Sequence, residues 1–338
     1  MSDPICYHQL KYKISEMNKH IRIEIPTLRD DRNGYEYLIK LANRIRTDPL
    51  NDFTFNFKKC SLLSQNAVCM LGALAILVDK ANSIYRKGFG GLLFPTRGVM
   101  FEVVSMNQNI AQQLIDNNFL SHFHKEGLGG MYPEGDYIGY RQHDEFLDTN
   151  EIATHLRYHW LSDEKLRISE DLKLAIVSKI FEIFMNAYGH GVMKNNTEMG
   201  RVVSCGYHDP KNKQLKITVM DFGIGVVDTV KKFLPQNLTD ESAMKWALES
   251  GNSTKTDSIN PDTPRGLGFD LLKRFVTVNE GSMVIYSNTC HAYVNKEGEY
   301  TVDRLKIPFK GTIISITINC DDRYYKFMQN TENQKSYF

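Results

Sequence analysis

Hydrophobic residues in the first half of the chain follow helix and strand periods in turn. Apolar side chains recur at helical spacing in residues 35–45 and alternate with polar ones in residues 53–57. An apolar helix is expected at 70–78, a β-branched strand at 99–104 and a further helix at 110–115. Because strands alternate with helices, this half is predicted to be a small α/β module.

The second half of the chain predicts another set of helices and strands. Residues 172–188 are apolar at helical spacing, and residues 215–219 alternate as a strand. Helices are expected at 243–248 and 269–276, and a last strand where isoleucines alternate at 314–318.

A shift in composition separates the two halves. Four glycines and a proline fall within residues 127–135, a segment that can hardly form a helix or a central strand. We therefore predict two domains of the α/β (α+β) class, a regulatory or interaction domain at 1–126 and a second domain at 144–322. Residues 127–143 are the expected linker, and residues 323–338 are expected to form a polar C-terminal tail.

The composition is that of a globular protein without an extreme charge. The chain has 338 residues, a formal net charge of +1, 42% hydrophobic residues and 24% charged residues. This balance excludes disorder as the dominant state and predicts no general attraction to nucleic acid or anionic lipid. The six cysteines are scattered without a C-x-x-C pair, which disfavours a zinc site and a disulfide framework.

The sequence predicts neither secretion nor membrane insertion. The longest apolar stretch, residues 67–78, is shorter than the roughly 20 residues that a transmembrane helix needs. Residues 1–13 lack the basic start and the apolar run of a signal peptide. We therefore expect a cytoplasmic protein.

Two polar residues near the end of the predicted helix 172–188 are candidate site residues. Glu182 and Asn186 lie four residues apart and project together from the half of the helix opposite to its apolar face. The pair is either a contact between neighbouring turns on the surface or part of a polar site.

A carboxylate and two glycines follow the predicted strand 215–219. The motif D-F-G-I-G begins at Asp221, whose carboxylate can accept a hydrogen bond from a ligand amine. Gly223 and Gly225 would let a ligand approach the backbone closely. The same motif also occurs in simple turns.

A second glycine motif follows a long polar connection. Residues 251–264 are expected to be either disordered or a lid over a ligand. They lead into four residues directly before a predicted helix: Arg265, Gly266, Leu267 and Gly268. Glycine amides at a helix N-terminus favour a phosphate, and Lys255 and Arg265 would help to neutralise its charge.

Together these motifs resemble the four boxes of the GHKL ATPases, the family that unites gyrase, histidine kinases and MutL. The boxes occur in the family's order, at intervals that leave room for the hairpin, lid and strands of its fold. The matching residues are Glu182 with Asn186, Asp221 with Gly223 and Gly225, Gly266 to Gly268, and Gly311 with Thr312. The resemblance covers roughly the second half of the chain. Within the family, these motifs are most similar to those of the anti-sigma-factor serine kinases.

The resemblance implies a fold and two cofactors for residues 144–322. The fold would be a Bergerat-type α/β sandwich, in which helices cover one face of a mixed sheet. The cofactors would be ATP and Mg²⁺, with Asn186 as the magnesium ligand. Asp221 would accept a hydrogen bond from the adenine amino group, and Thr312 would assist at the adenine.

The same resemblance implies roles for the remaining motif residues. Gly223 and Gly225 would let the base and ribose approach the backbone. The phosphates would receive backbone amides from Gly266, Leu267 and Gly268. Glu182 would act as the general base that activates the attacking water or hydroxyl.

The first domain resembles the STAS fold of anti-sigma-factor antagonists in its pattern of elements, and a generic α/β interaction domain explains that pattern equally well. In a STAS-like domain, Ser61 or Ser64 would fall near the strand-to-helix position at which this family carries its phosphorylated serine. An ordinary helix cap explains the same serines.

We therefore expect a Mg-ATP-binding regulatory protein of signal transduction. It would be a slow ATPase (a hydrolase) or a protein serine/threonine kinase whose lid acts on a protein partner. The alternative is a non-catalytic nucleotide-sensing switch, for example in bacterial stress signalling or phage defence. A homodimer is left open, and neither a membrane nor a specific nucleic acid is expected as a partner.

Overall fold

The structure is a computed structural model, and the residues that it describes are 19–88, 98–123, 137–143, 149–187, 201–234, 237–249, 252 and 269–327. The chain divides into two compact units. Unit 1 comprises Met1–Ile115 and Phe119–Gly130, and unit 2 comprises Asp116–Asn118 and Met131–Phe338. No helix in the described part of the chain combines the length and the apolar character that crossing a bilayer requires.

Unit 1 is built on a parallel sheet of three strands in the order β1-β2-β3. Its elements are β1 (His20–Glu24), α1 (Arg32–Thr47), β2 (Asp52–Asn56), α2 (Gln65–Gly88), β3 (Val99–Glu102), α3 (Gln108–Asp116) and α4 (Phe119–Phe123). Helices α1 and α2 are the crossovers that parallel neighbours require. The α/β pattern expected for this half is therefore confirmed.

Phenylalanines form the centre of unit 1. Phe53 and Phe55 of β2 are buried, and the ring of Phe101 meets those of Phe55 and Phe119 edge to face, at 5.6 and 5.0 Å. Helix α2 is buried at every residue of 67–78, so the apolar stretch is a core helix as expected. Such rings contribute large apolar areas to a small core.

Two details of unit 1 differ from the prediction. Strand β1 was not predicted, because only Ile21 and Ile23 alternate within its five residues. The β-branched run at 99–104 ends as a strand at Glu102, and Val103–Ser105 form a 3₁₀ turn.

Unit 2 contains a five-stranded sheet in the order β4-β5-β6-β8-β7. Its strands are β4 (Tyr137–His143), β5 (Val202–Asp209), β6 (Gln214–Asp221), β7 (Ser282–Val294) and β8 (Tyr300–Asn319). Its helices are α5 (Thr149–Thr154), a π-helical turn (His155–Trp160), α6 (Glu170–Asn186), α7 (Val226–Phe233), α8 (Asp240–Leu248) and α9 (Phe269–Val278). Apolar residues of α6 to α9 and of all five strands form one core.

The prediction of a mixed sheet for this unit is wrong for the described strands, since all four of their pairings are antiparallel. Short turns join β5 to β6 and β7 to β8, and such hairpins impose antiparallel pairing. The predicted hairpin after Asp209 is confirmed: the backbone and side-chain nitrogens of Asn212 donate to its carboxylate at 3.0 and 2.7 Å. The chain as a whole is a mixed α/β protein.

Three further segments differ from the prediction. Residues 137–143, placed in the linker, form strand β4, because the glycine-rich composition ends just before Tyr137. The sequence predicts one helix between Val226 and Arg265, but the structure has two, α7 and α8. Helix α7 was missed because its valines have low helix propensity, although two of them are buried. Within the predicted tail, Tyr325 is buried and pairs with Ile168, while residues 328–338 lie outside the described part.

Two histidines of unit 2 have lowered pKa values: His143 at the end of β4, which is partly buried, and His155 of the π-helical turn, which is buried. The Nε2 atom of His143 lies 3.0 Å from Ser204 Oγ, and its ring meets Phe184 edge to face at 5.0 Å. Burial, with the nearby Arg141, lowers the pKa of His143 to about 3. Burial also holds the pKa of His155 well below its usual value of 6.5. Both imidazoles are therefore neutral in the folded protein near pH 7.

We expect these histidines to make the protein acid-labile. Below about pH 6.5 the unfolded chain binds a proton at His143 that the folded chain does not bind until about pH 3. The free energy of unfolding should therefore fall with decreasing pH, by up to roughly 1.4 kcal/mol per pH unit for this residue. Urea unfolding between about pH 7 and about pH 5 would show the stability advantage of wild type over His143→Gln shrinking. Parallel pH curves for the two proteins would contradict this.

Candidate functional site

A pocket opens in unit 2 between the sheet and helices α6, α7 and α9. Its empty space is about 550 Å³, including open solvent at the mouth. Most of its walls are aliphatic. The lining residues are Ile183, Asn186, Ala187, Val219, Asp221, Ile224, Gly225, Val226, Thr229, Val230, Phe269, Thr312 and Ile314.

The pocket brings together four of the residues that the sequence singled out. Asn186, Asp221, Gly225 and Thr312 all line it, although they come from three separate segments. Gly223 lies beside them, and its N–H donates to Asp221 Oδ1 at 2.6 Å. Lys255, Arg265, Gly266, Leu267 and Gly268 lie outside the described residues.

Asp221 and Thr312 form the polar end of the pocket. Asp221 is the last residue of β6, is 3% exposed, and lies opposite Thr312 of β8 in the antiparallel register. A buried carboxylate that already accepts one backbone N–H can accept further donors from a ligand. The arrangement therefore presents an acceptor and a hydroxyl side by side at the base of an apolar cleft.

Gly311 allows the two strands to approach at this point. It has a φ of +136°, and a Cβ atom there would lie 2.2 Å from the carbonyl oxygen of Asp221. A side chain would therefore push β8 away from the backbone at the end of β6. The Gly-Thr motif thus has a structural basis in this unit.

Glu182 is placed differently from Asn186. Its carboxylate accepts from Lys179 Nζ at 2.7 Å, and both side chains are 30% exposed. Glu182 is not among the residues that line the pocket. An ion pair this exposed contributes little to stability, so a small change in its surroundings suffices to release the carboxylate.

The sequence did not indicate two residues of β7 that hold the pocket wall. The Val226 N–H donates to Ser287 Oγ at 2.8 Å, and Ser287 Oγ donates to the Gly311 carbonyl at 2.8 Å. Asn288 donates to the Ile224 carbonyl at 2.8 Å. The available signal was this polar pair within an otherwise largely apolar strand.

The chemistry of the pocket suits a flat, partly polar ring. Aliphatic walls accept the faces of a ring, and Asp221 and Thr312 accept and donate at its edge. Asn186 offers an amide oxygen, a ligand type that Mg²⁺ accepts. Within the described residues, no group of three or more His, Cys, Asp or Glu side chains is placed to hold a metal ion.

Comparison of the sequence with protein-family models and with curated proteins gives no match.

We expect Gly311→Ala to destabilise unit 2 more than Gly98→Ala destabilises unit 1. Both glycines have positive φ, but a Cβ at Gly98 would meet no atom of the described residues within 4 Å. Backbone strain alone costs about 1–3 kcal/mol; the contact with Asp221 adds to it for Gly311→Ala only. Urea unfolding of the two variants measures the difference. Equal losses would show that β8 tolerates a side chain at this point.

Proposed function

We propose that the pocket of unit 2 binds ATP with Mg²⁺, as in the GHKL ATPases, and that the chain is a regulatory protein acting on a protein partner. The observation that carries this proposal is the buried Asp221 beside Thr312 at the base of an apolar cleft that Asn186 also lines. Four sequence motifs in the family's order support it. In this assignment the adenine amino group donates to Asp221, and Thr312 contacts the same ring edge.

The helix termini around the pocket support one orientation of the nucleotide. The first amides of α7 are taken up by Ser287 and Asn288. Helix α9, whose first residue Phe269 lines the pocket, directly follows Gly266–Gly268. We therefore assign the phosphates to the start of α9, because the amides of a helix N-terminus and the helix dipole favour an anion.

Asn186 is the residue that would hold Mg²⁺. It lines the pocket on α6, and the ion's other ligands would come from phosphate oxygens and water. When bound, Mg²⁺ supplies neutralisation of the phosphate charge. The protein's own contribution is to position the amide oxygen of Asn186 at the last turn of a helix.

We propose slow ATP hydrolysis or transfer to a serine or threonine as the activity, with Glu182 as general base. Glu182 lies one helical turn before Asn186, and its carboxylate would have to leave Lys179 to reach an attacking oxygen. The placement of Glu182 in that ion pair favours a second candidate, a nucleotide-sensing switch without turnover. Both candidates share the pocket and differ only in the role of this carboxylate.

Unit 1 is proposed to be an interaction domain of the STAS type. Its parallel strands and helical crossovers support this, and Ser61 is exposed between β2 and α2. The carbonyl oxygen of Ser64 accepts from the Ala67 and Val68 amides, so Ser64 acts as the cap of α2.

Asp221→Asn should weaken nucleotide binding. The change replaces an acceptor-only carboxylate with an amide, and a hydrogen bond to a charged group is worth roughly 1.5–3 kcal/mol, which corresponds to about 10- to 150-fold in Kd. Isothermal titration with a non-hydrolysable ATP analogue and Mg²⁺ measures it. The control is Asp209→Asn, a strand-end aspartate outside the pocket. Equal affinities of wild type and Asp221→Asn would exclude the assigned pocket.

Glu182→Gln should separate the two candidate functions. If Glu182 is the general base, phosphate release or transfer falls by about 10²- to 10⁴-fold while the analogue still binds. The matched control is Glu170→Gln on the same helix, where Glu170 pairs with Arg157 on the surface. If wild type binds the analogue and turnover is no faster than in Glu182→Gln, the switch is the function.

A further inference from the structure

Side chains of β7 cap the helix that forms one wall of the pocket. Helix α7 begins after Gly225, which has no capping side chain. Its first amides donate instead to β7: Val226 to Ser287 Oγ at 2.8 Å and Val227 to Asn288 Oδ1 at 3.1 Å. Since these acceptors lie 61 residues further along the chain, the cap is a purely tertiary feature.

The amide of Asn288 bonds on both sides of the turn. Its Nδ2 atom donates to the carbonyl of Ile224 at 2.8 Å and to Asp228 Oδ2 at 2.9 Å. Asn288 is 8% exposed and lies where the β7–β8 register shifts, with a φ of +54°. Asparagine is one of the few residue types that adopts this backbone region readily.

Gly225 and Asn288 are fitted to each other. A Cβ atom at Gly225 would lie 2.2 Å from Asn288 Oδ1, so only glycine allows this approach. Ile224, Gly225 and Val226 all line the pocket, whereas Asn288 does not. Asn288 therefore contacts the pocket wall from behind.

We infer that Asn288 is a positioning residue of the nucleotide site: its amide clamps residues 224–226 to β7 and so sets the position of the wall beside Asp221. The inference rests on the proposed function for the identity of the ligand. A wall that is held in place before binding need not be ordered by the ligand, which preserves affinity.

The central test is Asn288→Gly, which removes the amide while glycine keeps the positive φ without strain. The Kd values for adenosine and for a non-hydrolysable ATP analogue with Mg²⁺ should both rise, by the same factor of about tenfold. An equal factor is expected because the wall lies beside Asp221, at the base end of the proposed site. Isothermal titration of the full chain gives both values.

The matched control is Asn295→Gly in the turn of the same hairpin. Asn295 Oδ1 also accepts two backbone amides, from Glu297 at 3.1 Å and Glu299 at 2.9 Å, but Asn295 does not line the pocket. Its loss should leave both Kd values within about twofold of wild type. The two variants thus separate positioning of the site from general stabilisation of the hairpin.

Two further measurements address the clamp directly. Amide hydrogen exchange at Val227 and Asp228 should accelerate in Asn288→Gly and stay unchanged in Asn295→Gly. Asn288→Asp should weaken binding, because it places a second carboxylate beside Asp228. Adding Asp228→Asn to that variant restores a donor opposite an acceptor, and it should recover part of the affinity.

Unchanged exchange and affinity in Asn288→Gly, or equal losses of affinity in both glycine variants, would overturn the positioning role. If the folded wild-type chain binds neither adenosine nor the analogue, the proposed function fails and this inference fails with it. The two failures are distinguishable, because one appears in the wild type and the other only in the comparison of variants.

Discussion

The antiparallel pairing of β6 with β8 is the constraint on which the rest of the pocket depends. It sets Asp221 opposite Thr312, although 91 residues separate them in the sequence. Because side chains alternate between the two faces of a strand, a shift of one residue in this register would turn one partner to the opposite face. The aliphatic residues Val219 and Ile314, two positions before and after, line the same pocket for the same reason.

The outer neighbours of β6 and β8 hold the two strands in this pairing. Strand β5 joins β6 through a short hairpin, and β7 joins β8 in the same way, so each central strand is held on its outer side. Through Ser287, β7 also bonds Val226 and the carbonyl of Gly311 with one hydroxyl. The loop after β6 and the middle of β8 are thus connected through β7.

The two ends of the site differ in how their polar side chains are held. At the Asp221 end, the carboxylate accepts the Gly223 N–H, and the carbonyl of Ile224 accepts from Asn288 of β7. At the α6 end, Glu182 is paired with Lys179, and both side chains are 30% exposed. Under the proposed function, the first end recognises the base and the second end determines whether the bound nucleotide reacts.

Local sequence determined most of the elements of this protein. Helix α6, strand β6 and the Asp209 hairpin were predictable, because their side chains follow local periods and the turn residues act within a few positions. Elements with weak local signals were not: β1 has only two alternating isoleucines, and α7 starts with β-branched residues of low helix propensity.

Asp221, Asn186 and Thr312 were identifiable from the sequence because their motifs have characteristic local patterns. Their convergence on one pocket, the all-antiparallel sheet and the clamp formed by Asn288 were decided only by the tertiary structure. The physical reason is the range of the interactions. A helix or turn is specified by neighbours within about four residues, whereas the hydrogen bonds from Val226 and Val227 to β7 join residues 61 positions apart.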